Sequence, residues 1–365
     1  MFKRIVSGFL MVALCISVSA CGQQQVTEKE EEPKQTEAQV KIPATEEAPA
    51  QSTESAAGGA IRLTDQAGRE VTLEKPAEKI VSCYYITTYA AMALGLGDVL
   101  VGIESKADTR PIYGMAAPEL LDLPSVGTLK AFDVEAAIAL DPDLVIMPKK
   151  LIDQADALTE VGIPVLAVYP ESQELLEEML TLMGQATGKE AEAEALIGYY
   201  GASLKELETL LADVETPSVY MAGNGSYLSV AAKDMYQSHM VELAKGKNAA
   251  ESIMGDYWTD VSYEDILVMN PDVIIAPSNA EYSVKDILGD AQLQDVTAVK
   301  NGAVYQMPTG IEEWDSPIPS GILGTRWLAS VLHEDVYPFE EFKQDAAGFY
   351  ETFYGFTLDE ELITK

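Results

Sequence analysis

The chain has 365 residues, with 24 lysines and arginines against 59 aspartates and glutamates, and a formal net charge of −35. Such acidity excludes nucleic-acid binding, which needs clustered cations against phosphates. Of three cysteines, Cys15 and Cys21 precede the body, so Cys83 alone remains there and no intrachain disulfide is expected; a core of this size can do without one.

Met1-Phe2-Lys3-Arg4 is a short positive start, and Ile5 to Ala20 is an apolar run. This predicts a signal peptide over residues 1–20, shorter than the roughly 20 apolar residues of a membrane span. Val18-Ser19-Ala20-Cys21-Gly22 resembles a bacterial lipobox, which implies acylation of Cys21 (palmitate among the chains) and anchoring on the extracytoplasmic face of the cell membrane. Residues 21–59, rich in Gln, Glu, Pro, Thr and Ser, predict a disordered tether reaching on the order of 35 Å.

The body reads as α/β. Ile61 to Thr64 and Glu70 to Leu73 are short strands, and Lys79 to Cys83 is a buried one, followed by a helix from Thr87 that Gly95 stops. Leu100–Ile103, Leu144–Met147 and Pro164–Val168 add three strands, alternating with helical sequence as a parallel sheet requires. A long helical stretch from Ser172 breaks at Gly184 to Gly188 and resumes from Lys189 to Asp213, the connection between lobes. The second half restarts at Ser218–Ala222, continues through a helix from Asp234 to Lys245 and strands at Val273–Ala276 and Ala303–Gln306, and ends in helices from Gly321 onward. The expected organisation is an N-terminal lobe over 60–188, an interlobe helix over 189–214 and a C-terminal lobe over 215–365, each lobe Rossmann-like.

An ungapped internal repeat supports the two lobes. Asp133 to Pro148 aligns with Ser262 to Pro277: a polar cap, a short helix, Asp141-Pro142-Asp143 or Asn270-Pro271-Asp272, then four apolar residues. With Asp65-Gln66-Ala67-Gly68-Arg69-Glu70-Val71, Glu135, Glu264 and Leu243-Ala244-Lys245-Gly246-Lys247-Asn248, the chain resembles the helical-backbone class of ABC-importer substrate-binding proteins, which deliver ferric siderophores, haem and cobamides. The resemblance runs from about Ile61 to Asp335. It implies two lobes joined by one long helix, a ligand cleft between them, and a permease dimer with its ATPase as partner. It also implies that Glu135 and Glu264 dock into arginine pockets of that permease. A carboxylate near a helix start is favourable on its own account, and a capping box is the plainer role for either glutamate.

Ligand contacts are expected on loops leaving the carboxyl ends of strands. Tyr84, Tyr85 and Thr87 follow the first buried strand, and the tyrosines suit stacking on a flat organic ligand; Arg110 follows the second and suits an oxyanion. Tyr236 and His239 open a helix of the second half, where helical spacing equally fits core packing. Trp258, Trp314 in a proline-stiffened loop, and Ser320 at a helix start complete the candidates; Trp314 is expected in the cleft and Ser320 to offer free N–H groups to an anion. No metal-ligating cluster and no resident cofactor are singled out. The reading is a monomeric carrier for a metal chelate, ferric siderophore first, then cobamide or haem, and an oxyanion last. No catalytic motif is present, and a tethered enzyme or a sensory or adhesion lipoprotein are the competing classes.

Overall fold

The computed structural model describes residues 59–255 and 257–365. The predicted signal peptide, Cys21 and the tether up to residue 58 lie outside them. An antiparallel hairpin, β1 (Ile61–Thr64) and β2 (Glu70–Leu73), opens the body. Asp65 fixes it to the first lobe: its carboxylate accepts from the Arg69 guanidinium at 2.8 Å and from the Ala167 amide at 3.1 Å.

The first lobe holds β3 (Ile80–Ser82), β4 (Leu100–Gly102), a two-residue ribbon β5 (Gly127–Thr128) with β6 (Ala131–Phe132), then β7 (Leu144–Pro148) and β8 (Val165–Val168). Its parallel sheet runs β4-β3-β7-β8. Every residue of β7 and β8 is buried, as expected of strands covered by helices on both faces. The second lobe holds β9 (Ser218–Met221), β10 (Ser229–Ala231), β11 (Lys247–Asn248), β12 (Trp258–Asp260), β13 (Val273–Ala276) and β14 (Val304–Gln306). Here the parallel sheet runs β11-β9-β13-β14, so both lobes place their own strands in the order second, first, third, fourth. The ribbons β5–β6 and β10–β12 and the edge strand β11 carry no apolar run and are not expected from the sequence.

The sequence repeat supplies the third strand of each sheet and a matched clamp before it. Asp141 and Asn270 both turn left-handed, at φ 48° and 42°, a conformation that Asx residues tolerate best after glycine. Two residues on, the Asp143 carboxylate accepts from the amides of Glu78 and Lys79 at 3.0 and 3.1 Å, and the Asp272 carboxylate accepts from the Ser218 amide at 2.9 Å. Each clamp thus satisfies the backbone entering the first strand of its lobe.

Between the lobes, the helix Gln173–Thr187 starts on Ser172, whose hydroxyl accepts from the Leu175 amide at 3.2 Å, and ends at left-handed Gly188. It runs straight through Gly184, where the sequence predicts a break. A Cβ at Gly184 would lie 3.0 Å from Ala193 Cβ and from the Lys189 carbonyl, so this glycine permits two helices to approach closely. The second is the interlobe helix Glu190–Leu210, 21 residues and about 30 Å long. Arg326 of helix Gly321–Leu332 ties it to the C-terminal helices, bonding Glu206 at 2.7 Å and also Asp345 of helix Phe339–Phe353.

Candidate functional site

A cavity of about 560 Å³ opens between the lobes. On the first lobe its wall is the carboxyl ends of β3, β7 and β8, through Tyr84, Lys149, Lys150 and Tyr169. This is the crevice where strand order reverses, between the first and third strands, at which open α/β sheets take their ligands. On the second lobe the wall is Asp234, Tyr236 and Gln237 at the start of helix Tyr236–Leu243, Tyr257 and Trp258 at β12, and Pro317. Five aromatic rings therefore face the cavity, with two lysines and the carboxylates of Glu171 and Asp234. Lys149 Nζ stands 5.3 Å from the Tyr169 ring centre. Burial pushes the phenols of Tyr84 and Tyr236 up, so both stay neutral hydrogen-bond donors.

The equivalent crevice of the second lobe is filled from within. The loop between β14 and helix Gly321–Leu332 sends Asp315 to the end of β13, where its buried carboxylate accepts from the Ser278 amide at 3.4 Å. Burial pushes Asp315 up to about 6, and pushes neighbouring Glu312 up to about 7 although Tyr350 donates to it at 2.6 Å.

Of the residues expected at the ligand, Tyr84, Tyr236 and Trp258 are brought to one cavity, and the others are not. Thr87 is buried, its hydroxyl 2.7 Å from both the Tyr84 carbonyl and the Ser82 hydroxyl; it organises the turn after β3. Tyr85 and Arg110 stack on each other one layer behind the wall, with the guanidinium carbon 4.5 Å from the ring centre. His239 points away, into a separate cavity of about 280 Å³ behind Tyr236, with Nδ1 3.8 Å from Glu242. No group of three or more His, Cys, Asp or Glu side chains able to hold a metal occurs among the described residues.

The sequence expectation for the proline-stiffened loop is corrected. Trp314 is 0% exposed and lies in the core, donating from Nε1 to the Tyr350 hydroxyl at 2.8 Å and packing edge-on against Phe342. Ser320 is likewise buried. The Gly321 and Leu323 amides donate to the Ile318 and Ser320 carbonyls, and Ser320, Gly321 and Ile322 are all buried, so this helix start does not open onto the cavity. Lys149, Lys150, Tyr169 and Tyr257 escape the sequence reading. The carboxyl-end rule, applied to the third and fourth strands as well as the first two, points to the first three; nothing in the sequence marks Tyr257.

Glu135 and Glu264 are exposed, each the second residue of its short helix. The caps are made by other residues. Asp133 accepts from the Ala136 amide at 2.9 Å, and Ser262 with Asp265 forms a capping box. The two glutamates are therefore not the capping groups of their helices.

Residues 80–309 match the model of a family described as periplasmic binding protein. The molybdate-binding protein MolA of Haemophilus influenzae is 27% identical over 80% of this chain and 90% of its own. YvrC, an ABC transporter substrate-binding lipoprotein of Bacillus subtilis, is 28% identical over 76% and 87%. A periplasmic solute-binding protein from Veillonella parvula superposes with a TM-score of 0.73 at 28% identity, over 83% of this chain and 95% of that one.

Proposed function

The chain belongs to the periplasmic binding protein family, and from that membership we propose that its cleft captures an organic metal chelate, a ferric siderophore-type ligand. Proteins of this family bind a small solute outside the cytoplasm and hand it to an ABC permease without transforming it. The observation that carries the ligand class is the cavity wall: five aromatic rings and two lysines around about 560 Å³. A tetrahedral oxyanion is the size of a few waters, on the order of 100 Å³, and would leave most of that space and all of the aromatic surface unused. Rings on both lobes suit the flat organic shell of a chelate, and Lys149 and Lys150 offer donors to its oxygens beside the carboxylates of Glu171 and Asp234. The second reading, a bare oxyanion, draws on the likeness to a molybdate-binding protein and on the same two lysines.

Trp258 is the natural reporter, because Trp314 and Trp327 are both 0% exposed. Iron(III) tris-catecholate should quench its fluorescence, whereas molybdate should do so weakly or not at all, and tighter binding of cyanocobalamin or haemin would move the ligand from siderophore to macrocycle. Trp258→Ala should weaken chelate binding several-fold to about tenfold, the loss of one aromatic contact. Tight binding of molybdate alone would replace the chelate reading by the oxyanion one.

For delivery, exposed Glu135 and Glu264 serve as the permease contacts of the two lobes, and Cys21, outside the described residues, carries the lipid that keeps the body near the membrane. The preceding small residues support the anchor, as does the likeness to a lipoprotein. In cells, Glu135→Ala/Glu264→Ala should bind chelate normally yet lose most uptake, and Cys21→Ser should release the body or leave an unprocessed precursor. Normal uptake by the double variant would remove the glutamates from delivery, and unchanged membrane retention of Cys21→Ser would remove the anchor.

A further inference from the structure

Arg110 lies close to the cleft without lining it. Its guanidinium covers the face of Tyr85, whose ring meets Tyr84 edge-on at 5.0 Å and Tyr89 at 5.4 Å. Tyr84 is on the cavity wall; the other two are not. From the opposite lobe, Glu313 places Oε1 3.8 Å from Arg110 Nε, and its other oxygen accepts from the Tyr89 hydroxyl at 3.2 Å. Arg110 Nε is buried and makes no hydrogen bond among the described residues.

We propose that Arg110 and Glu313 are positioning residues: paired across the lobe boundary, they set the Tyr85 ring and, through it, the Tyr84 ring that the ligand meets. The proposal rests on the reading of the cavity as the ligand site. Stability alone does not account for the pair. For a mostly buried ion pair at this separation desolvation offsets much of the attraction, and a buried Nε lacking an acceptor costs free energy that an apolar side chain would not. What an arginine offers here, and a lysine does not, is a flat cation that fixes the plane of the ring beneath it. Burial would lower the Arg110 pKa, but the hydroxyl of Tyr89 and the carboxylates of Glu313 and Glu104 hold it raised, so the cation persists through any working pH. Arg110, Tyr84 and Tyr89 all meet the Tyr85 ring from its own lobe, and the carboxylate that anchors Arg110 and Tyr89 comes from the other. The first lobe's ligand wall is therefore complete only while the second lobe is docked.

The test follows the Tyr84 ring by NMR in full-length protein with labelled tyrosine, the signal assigned through Tyr84→Phe, beside titration with iron(III) tris-catecholate and urea unfolding. Arg110→Lys keeps the charge and removes the plane; Glu313→Gln keeps an acceptor for Tyr89 and removes the charge. Both should shift the Tyr84 signal in ligand-free protein and weaken the chelate about fivefold, within the range of one misplaced aromatic contact. Arg110→Lys/Glu313→Gln should be no worse than either single change, since the two act as one unit. An unmoved Tyr84 signal in both single variants, with stability lowered, would make the pair merely structural and overturn the proposal. If wild-type protein binds no chelate, the chelate reading falls by itself, and the Tyr84 signal still decides the positioning role.

Discussion

Trp314→Ala is expected to destabilise the folded body by about 3–5 kcal/mol, the range for truncating a buried aromatic. The indole is fully enclosed, edge-on to Phe342, and its N–H is spent on the Tyr350 hydroxyl, which in turn donates to Glu312. Truncation opens a cavity and leaves a buried hydroxyl one donor short. Helix Gly321–Leu332 cannot slide in to fill it, because the Trp314 carbonyl already lies 2.2 Å from where a Cβ on Gly324 would stand. Trp314→Phe keeps a ring and should lose less. Urea unfolding at neutral pH measures both, and chelate titration of the folded fraction should give nearly the wild-type affinity. A variant of normal stability with lost affinity would return Trp314 to the cleft.

The second large effect is on pH dependence. Burial raises Glu312 from an ordinary 4.5 to about 7 and Asp315 from 3.8 to about 6, so the folded chain holds these protons more tightly than the unfolded one. The associated stability is present below the unfolded values and is lost as pH rises through the folded ones. For Glu312 the shift corresponds to about 3 kcal/mol, lost between roughly pH 4.5 and 7. Carboxylates held low by their caps, such as Asp265 and Asp286, act in the opposite sense below the ordinary carboxylate range, and His333, whose imidazole burial holds below its usual value, offsets part of the effect within the window itself. The body should therefore be several kcal/mol more stable at pH 5 than at pH 8. Glu312→Gln keeps an acceptor for Tyr350 and should remove about 2–3 kcal/mol of that difference. An unchanged pH slope in this variant would show that Glu312 is ionised in the folded protein.

What could be read from the sequence was what repeats or alternates. The buried runs at Leu144 and Val273 announce their strands, and the repeat from Asp133 and Ser262 announces two equivalent lobes, because parallel strands buried on both faces must be continuously apolar. Side-chain direction has no such periodicity. Trp314 sits among prolines and acids that look like a surface loop, and Tyr350 of helix Phe339–Phe353, which takes up its N–H, is encoded 36 residues away. Arg110 looked like a ligand contact since its partner, Glu313, lies on the other lobe, beyond any local pattern. Tyr84 and Lys149 are legible once the carboxyl-end rule is applied to strands whose order is known, and that order is a tertiary fact.

The two Asp clamps bear on the order in which the chain can complete itself. Asp143 reaches back 64 residues to the strand it clamps, and Asp272 reaches back 54. A chain emerging amino end first therefore finishes the first clamp before any of the second lobe has appeared, and neither span crosses the interlobe helix. Each loop closes over a modest contour, where closure entropy is smaller than for a lobe-to-lobe contact. The bond from Tyr89 to Glu313 spans 224 residues and must await the last third of the chain. Folding is thus expected lobe by lobe, and the cavity wall around Tyr84 is among the last parts to be set.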